Sequence, residues 1–131
     1  MTHGLITKDF ADGAYSFRLA YGQWLELQEA VNCGPLELYV RLLQRGWRIQ
    51  NIREIVRIGL IGGGQTPADA LRLVKRYVED RPLMENVQLA IEIVAASLEL
   101  PKGVDAPAGE ASGAMKSPDS STSETSTETL Q

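Results

Sequence analysis

Three consecutive glycines, Gly62, Gly63 and Gly64, separate two segments whose apolar residues recur at helical spacing. Glycine is the poorest helix former after proline, so neither segment is expected to run through them. The stretch "RIGLIGGGQT", residues 57 to 66, therefore reads as a helix, a stop and a new start. Thr66 suits the N-cap, Pro67 the first helical position and Asp69 the first turn, while the glycines supply left-handed conformations that end the preceding helix. The same stretch lies one residue from a nucleotide-binding signature. Gly59, Gly64 and Thr66 stand at the spacing of G-x-x-x-x-G-K-[ST], with Gln65 where the Lys belongs. A phosphate loop follows a buried strand, whereas "NIREIVRIGL" has helical periodicity, so the context contradicts that reading. Gly59 is expected to let a neighbouring helix or aromatic ring approach closely.

The rest of residues 1–100 extends this pattern. Asp12-Gly13 suits a tight hairpin turn, and Tyr15, Phe17 and Leu19 alternate with Ser16 and Arg18 as in a strand with one buried face. Trp24, Leu27 and Val31 stand at helical spacing, stopped by Asn32 and Gly34. Pro35 opens a helix with Leu36, Tyr39, Val40 and Leu43 inward and Glu37, Arg41, Gln44 and Arg45 on the other side. The next puts Ile52, Ile55, Val56, Gly59 and Leu60 inward and Arg53, Glu54 and Arg57 outward. Leu71, Val74 and Val78 line the helix after Thr66, and Val87, Ala90, Ile91, Val94 and Leu98 the last one, ended by Pro101. The expected fold is mostly α (α+β): a short N-terminal β-hairpin before a compact bundle of about five helices.

Composition changes abruptly at Pro101. Residues 101–131 of the 131-residue chain contain no aromatics, one Leu and ten Ser or Thr, with a net charge of −3. Such a segment buries too little apolar surface to offset its ordering entropy, so a disordered acidic tail is expected. Residues 1–100 carry a net charge of −1, which argues against general nucleic-acid binding. One cysteine, Cys33, excludes an internal disulfide and fits a reducing compartment. "MTHGLITKDFADG" lacks the marks of a signal peptide, and no apolar stretch approaches a membrane span, so a cytoplasmic protein is expected.

Catalytic chemistry finds little support in these residues. His3 is the one histidine and stands in a terminus expected to fray, so no histidine-based metal set or triad can be assembled, and no cofactor or metal is expected. Cys33 has no nearby histidine in sequence and reads as a small apolar filler; Glu26 and Glu29 read as a solvated helix face. The most notable charge feature is Arg41, Arg45 and Arg48, followed by Arg53 and Arg57, with Trp47 among them. A solvated face balanced by Glu37 and Glu54 accounts for it most simply. A protein-interaction surface comes second, since Arg is favoured at interfaces, and a DNA-binding helix-turn-helix third. Trp47 reads as a core plug ahead of an exposed anchor.

The order of these features resembles a known family. "YSFRLAYGQWLELQEAVNCG", "LELYVRLLQRG", "IREIVRIGLIGGGQTPADALRLV" and "VQLAIEIVAASL" together are similar to the small tail proteins of gene transfer agents and related prophages, grouped with phage tail assembly chaperones. The points of likeness are Leu27-Gln28-Glu29, Gly59-Leu60, Gly62-Gly63-Gly64 and Ala68-Asp69-Ala70, within residues 13 to 98. The resemblance implies a non-enzymatic chaperone that binds the tape measure protein and hands it to tail tube subunits, with self-association as a further contact. A structural minor tail component is the alternative it leaves, and a small DNA-binding regulator follows behind. No small-molecule substrate and no membrane partner are implied.

Overall fold

The computed structural model describes residues 3–99; the expected disordered tail lies outside them. Strands β1 (Ile6–Phe10) and β2 (Gly13–Phe17) form an antiparallel hairpin, and five α-helices follow: α1 (Tyr21–Val31), α2 (Pro35–Leu43), α3 (Ile49–Gly62), α4 (Pro67–Val74) and α5 (Val87–Leu98). One π turn, Lys75–Glu79, extends α4, and a 3₁₀ turn, Leu83–Asn86, leads into α5.

The hairpin turn sits one residue earlier than the sequence suggests. Phe10 pairs with Gly13, so Ala11 and Asp12 form the loop, with Ala11 at φ 58°. The Tyr15 hydroxyl donates to Asp12 Oδ1 at 2.6 Å, which fixes the turn and holds the Asp12 carboxyl below its ordinary range. Phe17 and Leu19 are buried as alternation predicts. Phe10 meets Tyr15, Phe17 and Tyr77 edge-on, with ring centroids 6.0, 5.8 and 6.1 Å away.

Helix α3 is the central element, packed against α1, α4, α5 and β2. Ile52, Ile55, Val56, Ile58 and Leu60 are all buried. Two helices, α2 and α4, show a different buried stripe from the expected one. In α2 the core receives Leu38, Tyr39 and Leu42 while Leu36 is exposed; in α4 it receives Ala70, Leu73 and Val74 while Leu71 is exposed. Both helices carry two overlapping apolar stripes, and tertiary contacts select between them. In α5 the fully covered residues are Ala90, Ile93 and Val94, with Ile91 and Leu98 at the margin.

The glycine run ends α3 by a Schellman arrangement. The Gln65 N–H donates to Leu60 O at 2.9 Å and the Gly64 N–H to Ile61 O at 3.1 Å, with Gly64 at φ 120°. Among the three glycines, only Gly64 takes a positive φ. Gly62 and Gly63 serve a different need: β2 and the residue after it cross directly over them. A Cβ on Gly62 would lie 1.9 Å from Arg18 O, and one on Gly63 2.0 Å from Ser16 O. Across the same contact the Arg18 N–H donates to Gly59 O at 3.0 Å. Gly59 itself faces Ile93 and the Phe17 ring, at 3.3 and 3.5 Å from a notional Cβ, the close approach expected of it.

Two outcomes follow from this packing. Gly63→Ala forces the hairpin off α3 and should cost about 3 kcal/mol or more, lowering Tm by at least about 10 °C. Gly46→Ala, whose Cβ would make an ordinary 3.8 Å contact, is the control expected near wild type in the same thermal melt. At the start of α4, Thr66 Oγ1 accepts from the Asp69 N–H at 3.1 Å, and the Asp69 carboxylate accepts from Arg72 at 2.6 Å. The Arg72 bond, then the Thr66 contact, holds the Asp69 carboxyl below its ordinary value. A depressed carboxyl stabilises the fold above its unfolded pKa and loses that contribution as pH falls through the folded one. The Tm gap between wild type and Asp69→Asn, open at pH 7, should therefore close below about pH 4.

Candidate interaction surface

The arginines singled out in the sequence divide into two groups. Arg53 and Arg57 belong to an ion-pair network centred on Glu54, which is 7% exposed rather than outward as its position suggests. Arg57 donates to Glu54 Oε1 at 2.6 Å and reaches Glu26 of α1 at 3.3 Å. Arg53 contacts Glu54 Oε2 and donates through Nε to Glu79 of the π turn at 2.6 Å. The Glu79 bond raises the Arg53 pKa and the Glu54 bond that of Arg57, so both stay charged at every physiological pH. The network ties α1, α3 and the π turn together. Its chemistry is structural.

Arg41, Arg45, Trp47 and Arg48 occupy the end of α2 and its connection to α3. Arg41 pairs with Glu37 at 3.2 Å. Arg45, at φ 64°, and Arg48 are exposed and have no acidic side chain within 4 Å among the described residues. The Arg48 N–H donates to the Oδ1 of buried Asn51 at 2.8 Å, so its backbone caps α3 while its side chain stays outside. Trp47 is half-buried against the core, nearer the plug than the anchor. Cys33 is also half-buried; burial pushes its thiol pKa up, with Arg41 and Arg48 partly opposing that, which makes it a poor nucleophile at neutral pH.

The glycine turn offers nothing to a phosphate. The Gly63, Gly64 and Gln65 N–H groups all donate to carbonyls of α3, so the amides that a phosphate loop would aim at its ligand are taken. Among the described residues no group of three His, Cys, Asp or Glu could hold a metal ion. No helix among them is long and apolar enough to cross a membrane.

Sequence reasoning missed a second surface. A groove of about 520 Å³ runs between the hairpin tip and the start of α5, bordered by Asp9, Phe10, Tyr77, Arg81, Glu85 and Leu89. Beside it Leu83 and Met84 are exposed, Met84 at 67%. The groove depends on the π turn, whose Tyr77 carbonyl accepts from buried Asn86 at 2.9 Å. π turns recur at functional sites, but their sequence carries no distinctive signal. On α1, Tyr21 (81% exposed) and Leu25 form an outward apolar pair at i, i+4.

The profile of the family described as "Phage tail tube protein, GTA-gp10" matches residues 3–99. No curated protein and no solved structure matches the chain.

The division of the arginines is measurable by urea denaturation. Glu54→Gln leaves two guanidinium groups without their shared carboxylate and should cost about 1–3 kcal/mol. Arg45→Ala with Arg48→Ala should stay within about 0.5 kcal/mol of wild type. Equal losses in the two variants would show that both arginine groups are structural.

Proposed function

The chain belongs to the phage tail tube protein, GTA-gp10, family across residues 3–99, and on that premise we propose that it is a non-enzymatic tail assembly chaperone. Its proposed partner is the tape measure protein, held soluble in the host cytoplasm until tail tube subunits polymerise around it. The observation that carries this reading is the extent of the match, which takes in the whole described unit from β1 to α5. The hydrophobic core of that unit is satisfied internally, so a protein partner must be met on the surface.

The α2–α3 connection is the proposed contact. Arg45 and Arg48 bring charge that no described carboxylate neutralises, and Trp47 and Arg41 supply the adjoining surface. Arg with an aromatic neighbour is the composition favoured at interface centres. A long helical partner would present its anchors at i, i+3, i+4 and i+7 spacing to such a surface. The family's own description favours a second reading, a structural component kept in the tail, with contacts to tube subunits or to further copies of this chain.

Co-expression separates the readings. The chaperone reading expects the tape measure protein to become soluble and to co-purify with this chain. Arg45→Glu with Arg48→Glu should abolish co-purification while leaving Tm unchanged. A tape measure protein equally insoluble with and without this chain removes the chaperone reading. Stoichiometric amounts of the chain in purified particles would support the structural one.

A further inference from the structure

An apolar projection and an apolar recess stand side by side on one face of the domain. The groove between the hairpin tip and the start of α5 has Phe10, Tyr77 and Leu89 among its walls, and Phe10 is held in the core. Two further wall residues, Arg81 and Glu85, bracket the turn that carries Pro82, Leu83 and Met84. Arg81 donates to Glu85 Oε1 across that turn at 3.1 Å. Leu83 is 54% exposed and Met84 67%, and neither lines the groove that their turn borders. Within one molecule the projection therefore does not fill the recess, and both leave apolar surface in water.

The rim adds charge of both signs. On the hairpin side Asp9 is exposed and has no Lys or Arg within 4 Å among the described residues; its neighbour Lys8 pairs instead with Glu92 of α5 at 3.4 Å. On the π-turn side the Arg76 guanidinium lies over the Tyr77 ring, 5.7 Å from its centroid, with no acidic side chain within 4 Å among the described residues. In the groove wall Asn86 is 7% exposed. Its Nδ2 donates to Tyr77 O at 2.9 Å, while its Oδ1 receives no hydrogen bond from any described residue. An amide oxygen held this deep calls for a donor from outside. A partner of one charge sign would satisfy Asp9 or Arg76 and repel the other. A second copy brings both signs, because a two-fold contact sets each surface against itself, with every pairing made twice.

We propose that this face docks a second copy of the chain: Leu83 and Met84 of each copy enter the groove of the other, and Asp9 of each meets Arg76 of the other. The guanidinium that arrives with the second copy is also a donor for Asn86 Oδ1. Few residues take part, so the dimer is of the weak, reversible kind. The inference gives a surface to the second reading, contact between copies of this chain. It rests on none of the arginines proposed to bind the tape measure protein, so either can fail without the other.

Sedimentation velocity on the full chain, from micromolar to near-millimolar concentration, tests it. Wild type should pass from monomer to dimer over that range. Met84→Asp should weaken the dimer by about tenfold or more, the effect of losing a central interface side chain, with Tm unchanged because Met84 is exposed. Asp9→Arg should weaken it as well, and Asp9→Arg with Arg76→Asp, which exchanges the two charges, should restore it. Arg45→Glu with Arg48→Glu should leave it as it is. A monomer at every concentration would overturn the proposal and leave the groove to a different partner. So would a dimer indifferent to Met84→Asp, a charge exchange that restores nothing, or a dimer lost with Arg45 and Arg48.

Discussion

The backbone contact between β2 and the end of α3 governs the rest of the molecule. Ser16 O and Arg18 O lie where side chains on Gly63 and Gly62 would have to be, and the Arg18 N–H closes the contact on Gly59 O. Only a side-chain-free surface permits two backbones to approach this closely. From that seat the hairpin directs Phe17 into the core and Phe10 toward Tyr77. Phe10 and Tyr77 then form part of the groove beside α5, and the residues before β1 lead back to α5, where His3 Nε2 lies 2.9 Å from Ser97 O. Gly62 and Gly63 therefore position two surfaces distant from them.

Charge is divided by the same logic. Glu54 becomes buried because α1 and the π turn flank α3, and the resulting network occupies Arg53 and Arg57. Breaking a pair of this kind is costly because it strands a charge with little water around it, even where the intact pair adds little net stability. On the α2–α3 connection Arg45 and Arg48 stay exposed, with no acidic side chain against them among the described residues. Five arginines that look equivalent in sequence thus stand in three settings: Arg53 and Arg57 inside the network, Arg41 paired with Glu37, and Arg45 and Arg48 exposed.

The sequence made much of this legible where local chemistry decides the outcome. Pro35 and Thr66-Pro67 start helices, Asn32 at φ 58° ends one, and the period of residues 52 to 60 identifies the face that α3 buries. The close neighbours of Gly59 were also readable. Tertiary selection was not: α2 and α4 each offer two apolar stripes, and no local rule says which one meets the core. Nor was the burial of Glu54, whose network reaches residues 26 and 79, or the anchoring of His3, whose partner is 96 residues away. The glycines were read correctly as a helix stop, but Gly62 and Gly63 are there for the strand above them.

If the hairpin and α3 are one cooperative unit through that seat, the Arg18 amide must be released only when the domain unfolds. Native-state hydrogen exchange measures this directly. The account predicts that Arg18 exchanges with the same free energy and the same denaturant dependence as Ile55 and Val56 in the centre of α3. Exchange of Arg18 more than about tenfold faster, with no denaturant dependence and with α3 still protected, would contradict it: the hairpin would then open separately from the helices.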